Sequence, residues 1–322
     1  MFKPPKTILI TGCAGFIGSA FLKKFKEKFP ETDIAGIDDF STGRRDAFDP
    51  AGIRFYEGSI LDGDLLDKIF AKHRPEYVFH FAALPRVSFS VEHPYLTDRV
   101  NAGGTVLLLE KSRKFKIKKF VFSSSSAVYG RAGNFPTEEN NELHPLSPYA
   151  AQKISGERYC RLFSELYGLD TVSLRYFNVY GPGQYGDSPY STVIAAWLES
   201  LYFPGRKKGF IEGDGTQSRD FCFIADVVNA NILAMESDKP LSGAAINIAG
   251  GYAISINEVG KKIESFTGKK LNLVNCPPRI GDAPRTVADI SRAGALLNYR
   301  PETKFDDGLK QTIQWFESRG KS

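Results

Sequence analysis

Tyr149 and Lys153 are the residues of this sequence whose types and spacing first point to chemistry. They stand four positions apart in the stretch SPYAAQK. If that stretch is helical, both side chains lie on one face, one turn from each other. An ammonium group beside a phenol favours the ionised phenol and so lowers its pKa. The pair therefore predicts a tyrosine that is easy to deprotonate.

A run of serines precedes this pair by a helix-sized gap. The stretch FSSSSAVYG, residues 122–130, ends a predicted strand. Ligands of an open parallel sheet bind at the carboxyl ends of its strands. No GxSxG elbow accompanies the serines, so the sequence does not indicate an acyl nucleophile.

The stretch TGCAGFIGS near the amino end predicts a dinucleotide site. Gly12, Gly15 and Gly18 follow a strand-like segment, and glycines let backbone amides approach a pyrophosphate at a helix N-terminus. The spacing is GxxGxxG rather than the usual GxGxxG. Asp38 lies twenty residues after Gly18, at the end of the second predicted strand. An acidic residue there accepts ribose hydroxyls and repels a 2′-phosphate, which favours NAD over NADP.

Short apolar, β-rich runs alternate with helix-like segments such as AFLKKFKEKF and DLLDKIFAKH. This alternation predicts βαβ units and a mainly parallel sheet. The runs are apolar throughout, which fits a sheet covered on both faces. We therefore predict an α/β fold, a Rossmann-type doubly wound parallel sheet with a smaller mixed α/β C-terminal substrate domain. The predicted strands are TILITG (7–12), DIAGID (33–38), IRFYEG (53–58), EYVFHFAA (76–83), KKFVFSSS (118–125) and TVSLRYFN (171–178).

The regular alternation weakens after Gly181, where the turn-rich stretch GPGQYGDSP begins. We expect an NAD-binding domain over residues 1–180 plus about 222–250. The substrate domain is then expected over about 181–221 and 251–322.

The composition is that of an ordinary globular protein. Of 322 residues, 42% are hydrophobic and 25% are charged. The net charge of +5 is a mild excess that does not by itself indicate nucleic acid. The most basic stretch, KSRKFKIKK at 111–119, is predicted to be a solvated helix end and a turn before a strand.

The cysteines and histidines indicate neither disulfides nor a metal site. The four cysteines show no CxxC pattern, which suits free thiols in a reducing cytoplasm. The four histidines show no metal-ligand spacing, and His80 is expected to be a packed side chain. No apolar stretch approaches the roughly 18 residues of a membrane span, and no signal-peptide pattern is present. We expect a cytoplasmic protein without membrane or nucleic-acid partners.

The motifs taken in order resemble the extended short-chain dehydrogenase/reductase superfamily. Within it the chain is similar to the nucleotide-sugar 4-epimerases that act on UDP-N-acetylglucosamine and UDP-glucose. The resemblance runs nearly end to end through TGCAGFIGS, DDFSTG (38–43), HFAALPRVSFSVEHP (80–94), NAGGT (101–105), FSSSSAVYG, SPYAAQK, LRYFNVYGPGQ (174–184), GDGTQSRDF (213–221) and RIGDAPRTVAD (279–289).

The resemblance implies reversible C4 epimerisation of a UDP-hexose through a transient 4-keto sugar, with NAD tightly bound. It implies three catalytic residues. Lys153 binds the nicotinamide ribose and keeps the Tyr149 phenol acidic. Tyr149 takes the proton of the sugar 4-hydroxyl, and Ser125 hydrogen-bonds the same oxygen.

The resemblance also implies two sets of binding residues. Those for the cofactor are Gly12, Gly15, Phe16, Ile17, Gly18, Asp38, Asp39, Phe40, Ser41, Thr42, Gly43, Ser59, Ile60, Phe81, Ala82, Ala83, Asn101, Tyr149, Lys153 and Phe177. Those for the substrate are Arg86, Ser125, Ser126, Tyr149, Asn178, Thr192, Val193, Arg219, Arg279, Asp282 and Thr286.

Particular roles follow for five members of these sets. Asn178 contacts the substrate, and the preceding residue, Phe177, contacts the nicotinamide. Arg219 and Arg279 clamp the diphosphate, a bidentate task suited to guanidinium. Asp282 holds the uridine ribose.

Two positions depart from the family pattern. Ser59 stands where an aspartate usually contacts the adenine amino group, so either its hydroxyl or Asp62 makes that contact. Pro85 stands where enzymes acting on UDP-galactose often have a lysine. The following Arg86 either replaces that charge near the phosphates or points to solvent.

Thr286 bears on which sugars fit the site. A bulky tyrosine at this position restricts some 4-epimerases to unacetylated sugars, and a small residue leaves room for an N-acetyl group. We expect UDP-N-acetylglucosamine and UDP-N-acetylgalactosamine to be favoured, with UDP-glucose and UDP-galactose also used.

Three other functions remain as alternatives. A 4,6-dehydratase would need an Asp–Glu pair where Ser126 and Ala127 stand. An NADP-linked reductase would want a basic residue in place of Asp38, although Arg44 and Arg45 lie close in sequence. The third alternative is a non-catalytic NAD-binding protein.

The resemblance further implies a homodimer. Family members commonly pair through two helices that correspond to the segments around 102–114 and 149–168. Both segments are expected to be long helices with exposed apolar positions.

Overall fold

Strands alternate with helices in the computed structural model, which describes residues 2–131, 133–187, 191–205, 209–277 and 284–320. The six strands predicted from the sequence correspond to the first six observed and are confirmed. The strands are β1 Thr7–Thr11, β2 Asp33–Asp38, β3 Arg54–Glu57, β4 Tyr77–His80, β5 Lys119–Ser125, β6 Asp170–Tyr176, β7 Val179–Tyr180, β8 Phe210–Glu212, β9 Ser218–Asp220, β10 Cys222–Phe223, β11 Ala244–Ile248, β12 Ala253–Ser255 and β13 Val274–Cys276.

The helices connect these strands. A π-helical segment, Arg99–Gly103, joins α4 to α5. None of the helices in the described ranges is both long and apolar enough to cross a membrane. The helices are α1 Phe16–Lys28, α2 Gly63–His73, α3 Val87–Glu92, α4 Pro94–Asp98, α5 Gly104–Lys114, α6 Pro148–Tyr167, α7 Val193–Tyr202, α8 Ile224–Glu236, α9 Ile256–Thr267, α10 Ser291–Leu297 and α11 Phe305–Gly320.

One parallel sheet organises the molecule. Its strand order is β11-β6-β5-β4-β1-β2-β3, and each neighbouring pair is parallel. The chain moves outward from β1 to β3 and then returns to the other side of β1 with β4. The carboxyl ends of β1 and β4 therefore flank a topological switch point, where open α/β sheets bind ligands.

Apolar side chains alternate between the two faces of this sheet. In β1, Ile8 and Ile10 join a core that contains Phe21 of α1 and Val227 of α8. Leu9 points the other way, into a core built with α2, α5 and α6. Both faces are covered, so the predicted doubly wound α/β fold is confirmed.

The later segments form small pairs of strands. β7 pairs with β10, β8 with β13, and β9 with β12. β11, which lies inside the range 222–250, returns to the main sheet beside β6. We keep the predicted division into a cofactor domain and a substrate domain as a proposal.

The expectation of exposed apolar positions is correct for one helix and wrong for the other. On α6, Leu162 and Leu166 are exposed, as are Tyr159 and Tyr167. The apolar positions of α5 are buried or half-buried, because α5 packs between α2 and α6.

The basic stretch at 111–119 contains a helix end and a turn, as predicted, but its last residue is not solvated. Lys119 is buried, and its Nζ donates to the carbonyl oxygens of Ala234 at 2.9 Å and Ser237 at 3.0 Å. The Asp170 carboxylate lies 3.4 Å away. Three oxygens thus compensate this buried charge.

We expect Gly156→Ala to destabilise the fold by about 1–3 kcal/mol, because a Cβ at this position of α6 would lie 2.5 Å from the ring of Phe122. Phe122 is fully buried and cannot move aside. Denaturant unfolding measures the effect. The control is Gly133→Ala, whose Cβ would meet nothing within 4 Å. Equal losses in the two variants would refute close packing of α6 on the sheet.

Candidate active site

The predicted site residues meet at the carboxyl edge of the main sheet. Gly12 follows β1, and Asp38 is the last residue of β2. The segment 81–83 follows β4, Ser125 ends β5, and Phe177 follows β6. Predicted residues at the ends of five strands are therefore brought to one edge of the sheet from distant positions in the chain.

The glycine-rich loop leaves no room for side chains. A Cβ on Gly12 would lie 2.6 Å from the backbone nitrogen of Ala82, and one on Gly18 would lie 2.1 Å from the Gly12 oxygen. Gly15 is the N-cap residue of α1 and offers no side-chain cap to the first-turn amides. Those amides and the helix dipole form a cradle for an anion, which fits the pyrophosphate of a dinucleotide.

Asp38 is buried at the end of β2 and organises the loop that follows. Its Oδ2 accepts the amide of Ala14 at 2.9 Å, and its Oδ1 accepts the amide of Phe40 at 2.8 Å. Burial raises the pKa of this carboxyl group, while the two amides lower it. A carboxylate has about four acceptor sites, so two remain for ribose hydroxyls. The loop after Asp38 contains the other predicted cofactor residues of this region, which are Asp39, Ser41, Thr42 and Gly43.

The two neighbouring arginines bind carboxylates of the protein. Arg44 donates to Asp46 through Nε at 2.9 Å and Nη2 at 2.8 Å, and to Asp187 through Nη1 at 2.7 Å. Arg45 pairs with both carboxylate oxygens of Glu57. These pairings, together with Asp38, disfavour a 2′-phosphate and the NADP alternative.

The adenine contact stays a prediction for Ser59 or Asp62. The Oδ1 of Asp62 caps α2, accepting the amides of Asp64 at 3.1 Å and Leu65 at 2.9 Å. Ser59 is half-buried, and its hydroxyl accepts the amide of Leu61 at a longer 3.3 Å. A second lone pair of this hydroxyl remains to accept from an adenine amino group.

A buried histidine ties the glycine-rich loop to the later strand ends. The His80 ring lies between the hydroxyls of Thr11, 2.8 Å from Nδ1, and Thr105, 2.9 Å from Nε2. Thr105 donates its own proton to the Asn101 carbonyl at 2.6 Å, so it accepts from Nε2–H. Nδ1 then accepts from Thr11, which in turn accepts the amide of Ala82 at 3.3 Å. Burial lowers the pKa of His80 to about 3 and keeps the ring neutral.

Asn101 extends this network to α6. Its side chain accepts the amide of Leu84 at 2.8 Å and donates to the Leu84 carbonyl at 3.1 Å and to Gln152 at 2.8 Å. Gln152 directly precedes Lys153. The sequence indicated a packed His80, which is confirmed, but not the hydrogen bonds that join it to Thr11, Thr105 and Asn101. The feature of the sequence that could have indicated these hydrogen bonds is the presence of polar residues inside otherwise apolar stretches.

The three predicted catalytic residues lie together. The Ser125 Oγ accepts the amide of Ala127 at 3.2 Å, which leaves its proton to donate to the Tyr149 oxygen. The Nζ of Lys153 lies 5.7 Å from the centre of the Tyr149 ring and donates to the Ser123 carbonyl at 2.7 Å.

The acidic phenol expected from the sequence is not found in this structure. Burial raises the pKa of Tyr149 to about 12, and only Ser125 and Arg86 act to lower it. Burial also lowers the pKa of Lys153 to about 8, against the opposing effect of Glu157. For Tyr149, burial outweighs the hydrogen bond from Ser125 and the charge of Arg86. The four-residue spacing could not reveal this burial.

A buried ion pair lies one turn beyond Lys153 on α6 and was not predicted. Glu157 receives two bonds from Arg175, at 2.9 Å from Nε and 2.6 Å from Nη2, and a third from the Ser124 hydroxyl. Arg175 also donates to the Tyr129 hydroxyl at 2.8 Å. These bonds fix α6 against β5 and β6. The available sequence signal was a glutamate four residues after the lysine.

Four predicted substrate residues line one cavity. This cavity of about 250 Å³ is bordered by Asn178, Thr192, Val193 and Arg219. Ser126 begins the turn after β5. Arg279 and Asp282 lie outside the described residues.

Thr286 lies against this group. Its Oγ1 is 3.4 Å from the amide nitrogen of the Asn178 side chain and 3.3 Å from the backbone nitrogen of Asp220. Asn178 also donates to the Asp220 carbonyl at 2.8 Å. The predicted size gate is therefore in contact with a predicted substrate residue.

Arg86 does not point away into solvent. It is half-buried, and its charge acts on the Tyr149 phenol and on Asp187. Its place near the substrate phosphates stays a prediction.

Comparison with known proteins agrees with this arrangement. The profile of the NAD dependent epimerase/dehydratase family matches residues 8–249. The chain belongs to this family. Membership confirms the resemblance to the extended short-chain dehydrogenase/reductases and the prediction of an NAD-dependent enzyme.

Three members of the family illustrate the range of sugars. A UDP-glucuronate 4-epimerase of Thermodesulfobacterium geofontis is 36% identical and aligns with 95% of either chain. A Thermotoga maritima UDP-glucose 4-epimerase, solved with UDP-glucose, is 37% identical with a TM-score of 0.91, covering 97% of this chain and 99% of that one. A Methanobrevibacter ruminantium UDP-N-acetylglucosamine 4-epimerase, solved with UDP-N-acetylmuramic acid, is 36% identical with a TM-score of 0.90, covering 98% and 100%.

We expect His80 to make the fold sensitive to acid. Its pKa is about 3 in the fold and about 6.5 in the unfolded chain, so protons favour unfolding as the pH falls below about 6.5. In urea unfolding, the stability advantage of the wild type over His80→Gln should shrink by up to about 1.4 kcal/mol per pH unit below that value. His93→Gln, at an exposed histidine, is the control. An advantage over His80→Gln that stays constant from pH 7.5 to 4.5 would contradict a buried neutral imidazole.

Proposed function

We propose that this protein interconverts the C4 epimers of a UDP-hexose while NAD stays bound. The observation that carries the proposal is the cluster of Ser125, Tyr149 and Lys153 at the strand ends, between the glycine cradle and the cavity lined by Asn178. Family membership and the three 4-epimerases described above support it.

NAD fits the residues present. The glycine-rich turn would hold its pyrophosphate, and Asp38 would accept the adenosine ribose hydroxyls. When bound, NAD would supply reversible hydride transfer at C4 of the sugar. Lys153, on the face of α6 that carries Tyr149, would hold the nicotinamide ribose. Phe177 is buried in a cluster with Tyr129 and Ile154.

The side chains of the protein move the proton. Tyr149 as phenolate takes the proton of the 4-hydroxyl, and the Ser125 hydroxyl bonds the same oxygen, as donor or acceptor in turn. The proton returns to the oxygen at C4 after the keto sugar has rotated to present its other face. The nucleotide stays anchored during this rotation, a task we assign to Arg219, Arg279 and Asp282.

We propose UDP-N-acetylglucosamine and UDP-N-acetylgalactosamine as the favoured pair, with the unacetylated pair also accepted. Thr286 supports this because its small side chain borders Asn178. Removal of a clash permits a ligand without requiring it, which is why both pairs are proposed. The three relatives act on different sugars, so overall similarity does not choose among them.

The family name also covers dehydratases. A 4,6-dehydratase needs carboxyl groups to protonate the leaving oxygen and remove the C5 proton. The turn that directly follows Ser125 has Ser126 and Ala127 where those acids would stand. The alternative reaction is therefore disfavoured.

We also propose a cytoplasmic homodimer that uses the apolar face of α6. The exposed residues Leu162, Leu166 and Tyr167 support this face as an interface, and Tyr95 of α4 adds to it. The four unpaired thiols, three of them buried, fit a reducing compartment.

The test uses the purified protein without added cofactor. UDP-N-acetylglucosamine and UDP-glucose are incubated separately, and their C4 epimers are followed by proton NMR. We expect galacto product from both sugars, and faster from the acetylated one. No epimer from either sugar, even after NAD is supplied, would overturn the proposed function.

Thr286→Tyr should cut turnover of the acetylated sugar by about tenfold or more, because the ring fills the space beside Asn178. Turnover of UDP-glucose should be largely spared. Thr286→Ser keeps the hydroxyl and the space and is the matched control. Equal losses on both sugars in the same NMR assay would mean that this position is not the size gate.

A further inference from the structure

One segment of the predicted substrate domain contacts two separate parts of the predicted cofactor site. This segment, residues 181–187, directly follows β7. A Cβ on Gly183 would lie 3.7 Å from the ring of Phe16, the first residue of α1 after the glycine-rich turn. Four residues later, Asp187 meets Arg44, which follows the loop that Asp38 organises. The segment therefore reaches both the predicted pyrophosphate cradle and the predicted ribose loop.

The contact with this segment uses the whole guanidinium group of Arg44. Nη1 donates to Asp187 at 2.7 Å, while Nε and Nη2 donate to the two carboxylate oxygens of Asp46. The central carbon of the group lies over the Tyr185 ring, 3.9 Å from its centre. A planar, permanently charged group can stack on a ring and donate along its edges at the same time. The backbone amide of Arg44 donates to the Ala14 carbonyl at 3.2 Å, so the arginine is also tied to the glycine-rich turn.

The segment itself is anchored to α7 and α11. The ring of Tyr185 lies 4.3 Å from the guanidinium carbon of Arg319 and meets the Trp315 ring edge to face at 5.2 Å. The Gly186 amide donates to the buried carboxylate of Glu199 at 3.4 Å. Because these contacts hold the segment to two helices, it offers a fixed support to the loop after β2.

We propose that Arg44 is a positioning residue that slows the release of NAD by holding the loop after β2 against segment 181–187. While the contact is made, the loop that would bind the adenosine ribose cannot move away from the cradle that would bind the pyrophosphate. Arg44 and Asp187 are each 36% exposed, so the contact should change the release rate severalfold rather than decide whether NAD binds. The inference rests on NAD binding at the cradle and not on the reaction of the sugar.

The test measures the release of NAD from the purified protein after it has been loaded with NAD. Alcohol dehydrogenase and ethanol in excess convert each released NAD to NADH, whose fluorescence gives the rate. We expect Arg44→Met and Asp187→Ala each to release NAD about three- to tenfold faster than the wild type. The two substitutions change the net charge in opposite directions. A shared acceleration therefore reports the lost contact and not a general attraction between the protein and the cofactor phosphates.

Two further variants sharpen the test. The double variant of Arg44→Met and Asp187→Ala should release NAD no faster than the faster single variant, because both substitutions remove the same contact. Arg54→Met, at an exposed arginine of β3, removes the same charge as Arg44→Met and should leave the rate unchanged. Wild-type rates in both single variants, or faster release with Arg44→Met and slower release with Asp187→Ala, would overturn the role of Arg44. Absence of epimerisation by the wild type, with the expected release rates intact, would refute only the proposed function.

Discussion

The contact between helix α6 and strand β5 is the constraint on which the rest of the site depends. Gly156 allows the helix to approach the Phe122 ring, where a Cβ would collide. Farther along the strand, Lys153 bonds the carbonyl of Ser123, and Glu157 receives the hydroxyl of Ser124. These contacts fix the position of α6 along β5. Tyr149 is thereby brought to Ser125, the last residue of that strand.

The same close packing of α6 on β5 disfavours charge on the side chains of the site. A helix packed this tightly excludes water from its tyrosine and its lysine, and burial disfavours the charged form of each. Glu157 supports the charge of Lys153, but Glu157 is itself neutralised by Arg175. The pKa of Tyr149 is accordingly raised and that of Lys153 lowered.

The cofactor side and the substrate side are joined through polar contacts rather than through the apolar core alone. The network from Thr11 through His80 to Asn101 links the glycine-rich turn to the residue before Lys153. On the other side, Arg44 links the loop after β2 to Asp187.

The strands and the edge of the sheet that carries the site could be predicted because their signals are local. Apolar runs, glycine spacing and Asp38 at a strand end all lie within short stretches of sequence. The resemblance then indicated which residues should meet. The α/β fold and the NAD-dependent family are confirmed, whereas the individual roles of the site residues stay predictions.

What the sequence did not reveal depends on contacts between distant segments. The raised pKa of Tyr149 follows from its burial. The apolar residues of α5 looked exposed because α2 and α6, which cover them, are far away in the chain. Lys119 looked solvated because its carbonyl partners on and after α8 come more than a hundred residues later. Spacing within one segment carries none of this information.

The central claim is that hydride leaves C4 of the sugar and returns to the same carbon on the other face. A UDP-hexose labelled with deuterium at C4 tests it most directly, with the purified protein and no added cofactor. The account predicts that the epimer carries the full label at C4, since the transferred atom never exchanges with water. Loss of the label to solvent, or its appearance at C6, would contradict the account.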